Sequence, residues 1–465
     1  MKKLILLISL FALNIYSFSQ DSLMHYLELA TKNNPTVLQR YNEYQASLQK
    51  IPQVGSLPDP QLEMGVFLSP MELISGNQVA DIKLMQMFPW FGVLKNAKDE
   101  MSLMAKGKYE LFRDAKLQVY YDVQRAWFDL YKVRQNIRIS EKNVELLKTI
   151  ERLTLVKFRS GSSGGSSAVS GGNMSGNGTQ STTSGSSGMN SMGGNSVSAT
   201  TQPSFQSGSS SMSSTPGVSG LSDVYQIQVE LADLENNIAS LKNEEQVIMA
   251  RFNSQLNRPM TTSVFVPELL PAEPLDIAYL SVNDLMFTKN PMLTMIHYEQ
   301  QSLDSRKKMQ KQMGLPMVGV GVNYSVIGMS DMSTSPMNGK DMIMPMVTLT
   351  LPVYRKKYKA MQVETQYLKT ASEQNYQAAV NSLQTEYYEA LQLYYDAQRR
   401  IKLYESQSQL TQKSLDIQLK SFSVGNSTLT DILRIRQQLL DYDLKQVEAI
   451  ADFNKSEAWV KRLIQ

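Results

Sequence analysis

Pro352-Val353-Tyr354-Arg355 opens, and Ser421-Phe422-Ser423-Val424-Gly425 closes, a stretch of about seventy residues with no further proline. Its apolar residues recur at helical period. At a rise of ~1.5 Å per residue, one helix of that length reaches on the order of 100 Å, far more than a compact domain can use. The chain carries the pattern twice. Pro89-Trp90-Phe91-Gly92 opens an equally long run that ends at Val156-Lys157-Phe158-Arg159-Ser160-Gly161. The offset between the copies is 263 residues at the prolines and 264 at the Phe-x-x-Gly ends. Two rods in register by duplication frame the rest of the chain.

Upstream of each rod the repetition continues. Thr31-Lys32-Asn33-Asn34-Pro35 is answered by Thr288-Lys289-Asn290-Pro291, and Leu57-Pro58 by Leu315-Pro316. Each Asn-Pro reads as a helix break and restart, because proline is tolerated only in the first turn. Strands should follow the second proline of each half. Val318, Val320, Val322, Tyr324 and Val326 alternate with small or polar residues, as do Val347, Leu349, Leu351 and Val353. Leu62, Met64, Val66 and Leu68 alternate likewise, with Ile82 to Phe88 as a noisier partner. Residues 69–80 and 327–341 read as the polar loops of these two hairpins. Period two gives every strand one apolar and one polar face. Two hairpins could cover a soluble core. They could equally belong to a membrane barrel, but four strands cannot close one when the smallest have about eight, so that reading demands an oligomer.

In the first rod Val119, Val123, Ala126, Leu130, Val133, Ile137, Ser140, Val144 and Leu147 fall at alternating spacings of four and three, a coiled-coil seam. Tyr120, Tyr121 and Trp127 lie off that seam and predict a second packing face. Ile432, Ile435, Leu439 and Tyr442 continue the spacing in the helix that returns from the second Phe-x-x-Gly. Each half is therefore a long helical hairpin with its tip at the glycine. The division that follows is a first repeat over 20–262, a linker over 263–279 and a second repeat over 280–465. Pro259, Pro267, Pro271 and Pro274 break helix around the linker.

Composition removes several classes of function. The 465 residues carry a formal charge of only +3 and no basic run, so nothing points to nucleic acid. There is no cysteine and there are only two histidines, His25 and His297, which argues against thiolate sites, multi-histidine metal sites and a Ser-His-Asp triad. No cofactor is called for. Residues 1–19 read as a secretory signal: Lys2-Lys3, an apolar run from Leu4 to Ile15, then Ser17-Phe18-Ser19. No other stretch is long and apolar enough for a membrane helix.

The first tip holds an insertion. Asp223 follows Gly161 by 62 positions where Asp431 follows Gly425 by 6, and residues 161–220 hold 21 Ser, 14 Gly and no charge. Such a segment is expected to be a flexible linker. Around it the tips still match, Leu221-Ser222-Asp223-Val224 against Leu429-Thr430-Asp431-Ile432. Ser222 and Thr430 are the expected N-caps of the returning helices.

Taken together and in order, these motifs resemble the TolC-like outer-membrane efflux family, over the whole mature chain. The resemblance implies a mostly α fold with a membrane β-barrel. Long helical hairpins and four strands per chain would assemble as a homotrimer closing twelve strands. It implies no enzyme but a passive exit duct in the outer membrane, reaching into the periplasm. Substrates would come from an inner-membrane pump through a periplasmic adaptor that grips the tips. Phe158, Gly161, Leu221, Gly425 and Leu429 then become tip contacts for the adaptor. Asp223, Asp431, Phe422 and Arg434 become aperture residues, although both aspartates could equally be plain helix-cap residues. The family's latch tyrosine and arginine are replaced here by Phe422 and Ser427, and its second acidic position by Arg434, so closure must rest on other contacts.

The 27 methionines bear on the cargo. Thioether sulfur suits Cu(I) or Ag(I), and the family has a metal-efflux, CusC-like branch. Met174, Met189, Met192 and Met212 of the insertion are candidate ligands on that reading; as flexible core fillers or chance residues they need no metal. Drugs are the other cargo class. A structural trimeric coiled-coil surface protein would explain the rods, though not strand pairs at matching places. A soluble periplasmic binding protein of helical hairpins is a third reading.

Overall fold

The computed structural model describes residues 23–162, 220–272, 274–275, 283–424 and 426–464. The expected signal at 1–19 and the methionines 174, 189, 192 and 212 lie outside them, as does Gly425. The described chain runs α1 (Leu23–Asn33), α2 (Pro35–Gly55), β1 (Gln61–Leu73), β2 (Gly76–Phe88), α3 (Val93–Ser162) and α4 (Leu221–Gln255). It continues with α5 (Asn283–Lys289), α6 (Pro291–Met313), β3 (Met317–Gly328), β4 (Met342–Thr350), α7 (Arg355–Val424) and α8 (Leu429–Ile464). Both rods are single helices of 70 residues. The order of elements is the same in the two halves.

The duplication extends to individual hydrogen bonds. Asn34 caps α2 by accepting from the backbone N–H groups of Thr36 and Val37, with Pro35 in the first turn. Asn290 does the same for α6, accepting from Met292 and Leu293 behind Pro291. Both have extended backbones that differ by no more than 2° in φ. Each then uses its Nδ2 to donate to the end of the returning helix of its own half: Asn34 to the Gln255 carbonyl at 2.8 Å, Asn290 to that of Leu463 at 3.5 Å. One side chain thus starts a helix and fastens it to another, which alanine could not do.

Two compact units emerge, and they are not the two repeats. The first comprises residues 1–140, 237–408 and 441–465, the second residues 141–236 and 409–440. Each of the four long helices contributes residues to both.

In the first unit Val119, Val123, Ala126, Leu130, Val133, Ile137 and Ser140 of the seam are buried, and so is the second face, through Trp127, Phe128 and Tyr131. The segment after α4 is strapped onto that face. Trp127 Nε1 donates to the Phe265 carbonyl, Arg134 to that of Val264, and the Tyr26 hydroxyl accepts from the Phe265 N–H. Another core gathers Tyr387, Tyr394, Phe453 and Val460.

The four strands form one antiparallel sheet in the order β1-β2-β3-β4, so the two halves join at its centre, β2 against β3. The expected loop over 69–80 is not there. β1 runs to Leu73 and β2 starts at Gly76, leaving a tight turn with Gly76 at φ +122°. Gly76 must be glycine on two counts, since a Cβ there would sit 2.4 Å from the Gly328 carbonyl. Pro70 misleads because it sits where an edge strand shifts register between Val66 and Met71, a place that needs no N–H. The turn is held by the second loop: Ser333 Oγ donates to the Ile74 carbonyl and the Gly339 N–H to that of Ser75. β4 ends at Thr350, short of the expected Val353.

Candidate functional site

Two surfaces carry the chemistry, the faces of the sheet and the tip unit. The register sorts the sheet residues without ambiguity. Leu62, Leu84, Val322 and Pro345 form one row across all four strands, and Met64, Ile82, Tyr324 and Ile343 the next. Gln86, Val320 and Val347 and then Phe88, Val318 and Leu349 continue it on one side, and Val66, Ala80 and Val326 on the other. This face is apolar in all but Gln86, and it is open: Leu62, Met64, Val66, Val320, Ile343, Val347 and Leu349 are each more than half exposed. From Ala80 to Phe88 the rows span eight residues, ~27 Å along the strand. At a barrel tilt of about 40° that is ~20 Å of height, close to the ~25 Å apolar band of membrane barrels. Phe88, Trp90 and Phe91 follow at the β2 exit and Tyr354 after β4, all exposed, as interfacial aromatics are. The turn there is fixed by Gly92, whose φ of +89° and whose contact with the Gln312 amide exclude a side chain.

The opposite face is polar. Gln61, Glu63, Asp81, Lys83, Asn323, Ser325 and Thr348 share it with Gly65, Gly319 and Gly321. Lys83 pairs with Glu63 across the strands at 2.9 Å. Met85, Met87, Met342, Met344 and Met346 also stand on this side. The edges, β1 and β4, have no neighbouring strand among the described residues.

In the tip unit the core is made by Val144, Leu147, Ile150, Val224, Ile227, Ile432, Leu433 and Ile435. Arg436 of α8 is buried there and bonded to Glu230 of α4. Burial holds its guanidinium below its ordinary value, against the pull of Glu230. The caps lie two residues earlier than expected. α8 starts at Leu429 with Thr428 before it, and Thr428 Oγ1 donates to Asp431 Oδ2 at 2.7 Å while accepting from the Asp431 N–H. That is the first half of a capping box, with aspartate in the glutamate position returning to the Thr428 hydroxyl. Gly220 precedes α4 and accepts from the Asp223 N–H at 3.0 Å. Ser222 and Thr430 lie inside the first turns instead.

The expected aperture residues are thereby located. Asp431 is committed to Thr428 and lies 3.6 Å from Arg434, which is exposed. Asp223 is half-buried, and burial raises its carboxyl above the ordinary value despite the Gly220 backbone and Lys157. Phe422 turns inward: it is 3% exposed, with the Lys157 ammonium over its ring. Leu429, expected as an adaptor contact, is also buried, one turn before the buried Ile432 and Leu433. Phe158 and Leu221 are exposed, in company with Val156, Tyr225 and Val424. Gly161 lies in the last turn of α3. Ser427 Oγ donates to the Gln418 carbonyl near the end of α7. Sequence reasoning missed Lys157, Thr428 and the Arg436–Glu230 pair; an arginine one turn after Ile432, beside the α8 seam, was the available signal.

Solved structures share this arrangement. The outer membrane protein VceC of Vibrio cholerae matches with a TM-score of 0.68 at 12% identity, over 95% of both chains. The chain has the TolC-like outer-membrane channel fold. The CmeC outer membrane channel of Campylobacter jejuni shares it at 0.66 and 14% identity, over 95% of this chain and 85% of that one. CusC, described for its transmembrane channel formation, matches at 0.69 and 12% identity over 96% and 92%. No family model matches the sequence, and no curated protein does.

Proposed function

We propose that this chain is the outer-membrane exit duct of a tripartite efflux system. The observation that carries the reading is the two-faced sheet: an open apolar face of bilayer height, a polar reverse face and two bare edges. Bare edges in lipid are untenable, because no water is there to satisfy them. Three copies, β4 of one beside β1 of the next, make twelve strands and leave no edge. The long helices line the periplasmic part of the passage. No step of this work is catalytic; an inner-membrane pump supplies the energy and a periplasmic adaptor seats the tips. Phe158 and Leu221, with Val156, Tyr225 and Val424, are the exposed apolar contacts for that adaptor. Asp223 and Asp431, with Arg434, set the charge at the aperture.

A trimeric coiled-coil stalk would bury its heptads equally well but has no use for a lipid-height sheet face. The deciding experiment is membrane fractionation with gel migration. The duct needs detergent for extraction, runs as a heat-modifiable trimer and conducts in planar bilayers. Recovery as a soluble monomer would overturn it. The aperture assignment has its own test, since Asp223→Asn with Asp431→Asn keeps the size and the accepting oxygen of each first-turn side chain and removes only the charge. A changed cation selectivity supports the gate; unchanged selectivity leaves both aspartates as first-turn helix residues.

A further inference from the structure

The methionines on the polar side of the sheet are arranged, not scattered. Met85 on β2 and Met346 on β4 flank Gly321 in one row, and Met87 and Thr348 flank Gly319 in the next. Met344 stands one row away in the other direction, opposite Asn323. Two glycines on the middle strand therefore clear the floor between methionines on the strands either side. β2 and β4 lie about 10 Å apart across β3, a gap that long unbranched side chains can bridge only if nothing rises between them.

Two of the sulfurs, on β2, stand close together. A Cβ built at Gly319 would be 2.6 Å from Met87 Sδ and 3.3 Å from Met85 Sδ, so the two sulfurs are no more than about 6 Å apart. The same construction at Gly321 meets Met85 Cε at 3.4 Å, which means Met85 leans across the glycine toward the row of Met346. Met85 is 8% exposed, unusual for the polar side of a sheet. Asn323 Oδ1 is buried there without a hydrogen-bond partner. Gap filling is the ordinary use of methionine, but it belongs to apolar surroundings, and apart from its glycines and Met342 this face, over the rows from Met342 to Thr348, is otherwise Glu, Lys, Asp, Asn, Gln, Ser and Thr.

We propose that Met85, Met87, Met344 and Met346 form a thioether site for a soft monovalent cation, Cu(I) or Ag(I). Thioethers are neutral, soft and never protonated at working pH, so they select such ions over hard ones and release no proton on binding. Lys83, in the row of Met344, is paired with Glu63. Among the described residues no three His, Asp or Glu side chains gather into a competing site. Methionine rotamers are cheap to change, so the site can close on an ion and reopen, which suits a wall that cargo passes. The proposal names a cargo class for the duct and rests on that reading for its setting.

The test uses the full-length protein in detergent, with Ag(I) as the redox-silent probe. Peroxide footprinting read by mass spectrometry reports sulfoxide at each methionine with and without Ag(I). Protection of Met85, Met87, Met344 and Met346, with Met329 and Met332 of the second loop oxidised as before, is the expected result. Protection elsewhere only, or nowhere, overturns the proposal. Calorimetric titration of Met85→Leu/Met87→Leu/Met344→Leu/Met346→Leu should lose the Ag(I) binding seen in the parent. The footprint stands on the parent alone should that variant not fold. Bilayer conductance separates the two readings: a conducting parent without Ag(I) protection removes the site and keeps the duct, and protection without conductance does the reverse.

Discussion

Lys157 sets its ammonium 4.1 Å from the centroid of the Phe422 ring and donates to the Phe422 carbonyl at 3.4 Å. The contact links α3 to α7 just before the ends of the two rods. It is also where the duplication has diverged. Phe158 and Phe422 are equivalent positions, yet Phe158 is 36% exposed and Phe422 only 3%. A lysine beside the first phenylalanine covers the second.

Truncating the ring and removing the charge should therefore have unequal costs. Phe422→Ala opens a cavity and should cost ~3–5 kcal/mol. Lys157→Met keeps the stem and loses only the cation, about 0.5–2 kcal/mol. Limited proteolysis of the tip, scored against denaturant, would rank them; equal losses would refute the assignment.

Asp223 gives a pH dependence. Burial lifts its native value above the ordinary 3.8, so protonation favours the folded state. Its contribution is fully present below about pH 4 and is lost as pH rises through the lifted value. Asp223→Asn should consequently be at least as stable as the parent at neutral pH and lose that advantage on acidification. Melting curves collected across the acidic range read the sign directly.

Val320 and Asn323 stand on opposite faces of the same strand, three residues apart. Val320→Arg should cost ~2–4 kcal/mol if the apolar rows meet lipid near mid-bilayer, and Asn323→Arg much less. Refolding into lipid vesicles supplies the comparison. Equal tolerance would contradict the membrane assignment.

The two glycines of β3 should differ when replaced by alanine. At Gly319 the new Cβ meets the flexible end of Met87, which can move; at Gly321 it lies 2.6 Å from the Leu84 carbonyl, which cannot. Gly321→Ala should cost on the order of 1–3 kcal/mol and Gly319→Ala less than ~1. Heat modifiability of the detergent-extracted protein would show the difference as separate midpoints.

Much of this was legible because periodicity is a local signal. Both rods, both Asn-Pro restarts and the alternation of Val318 to Val326 follow from spacing alone. The misreadings occur where two local signals compete. Gly220-Leu221-Ser222 and Thr428-Leu429-Thr430 each offer two caps, and only the buried seam decides which turn is first. The loop expected over 69–80 was a run of turn formers overruled by pairing, Met71 to Leu73 with Gly76 to Gln78 and Asn77 to Ala80 with Val326 to Gly328 of the other half. The buried sides of Phe422 and Leu429 were equally out of reach, since a heptad shows which residues are sequestered but not which helix covers them. The methionine patch needed the register of three strands, and β2 beside β3 is not written in either strand.

That central ladder also fixes an order of events in assembly. Asp81 pairs with Ser325 and Met87 with Gly319, so about 240 residues must be made after β2 before its partner exists. Until then the first hairpin is two strands with an apolar face and two open edges, marginal alone and prone to pair with the wrong neighbour. The interval in which the first half can mispair is therefore set by the distance to Met317. A chain cut short after the first repeat should be degraded rather than accumulate.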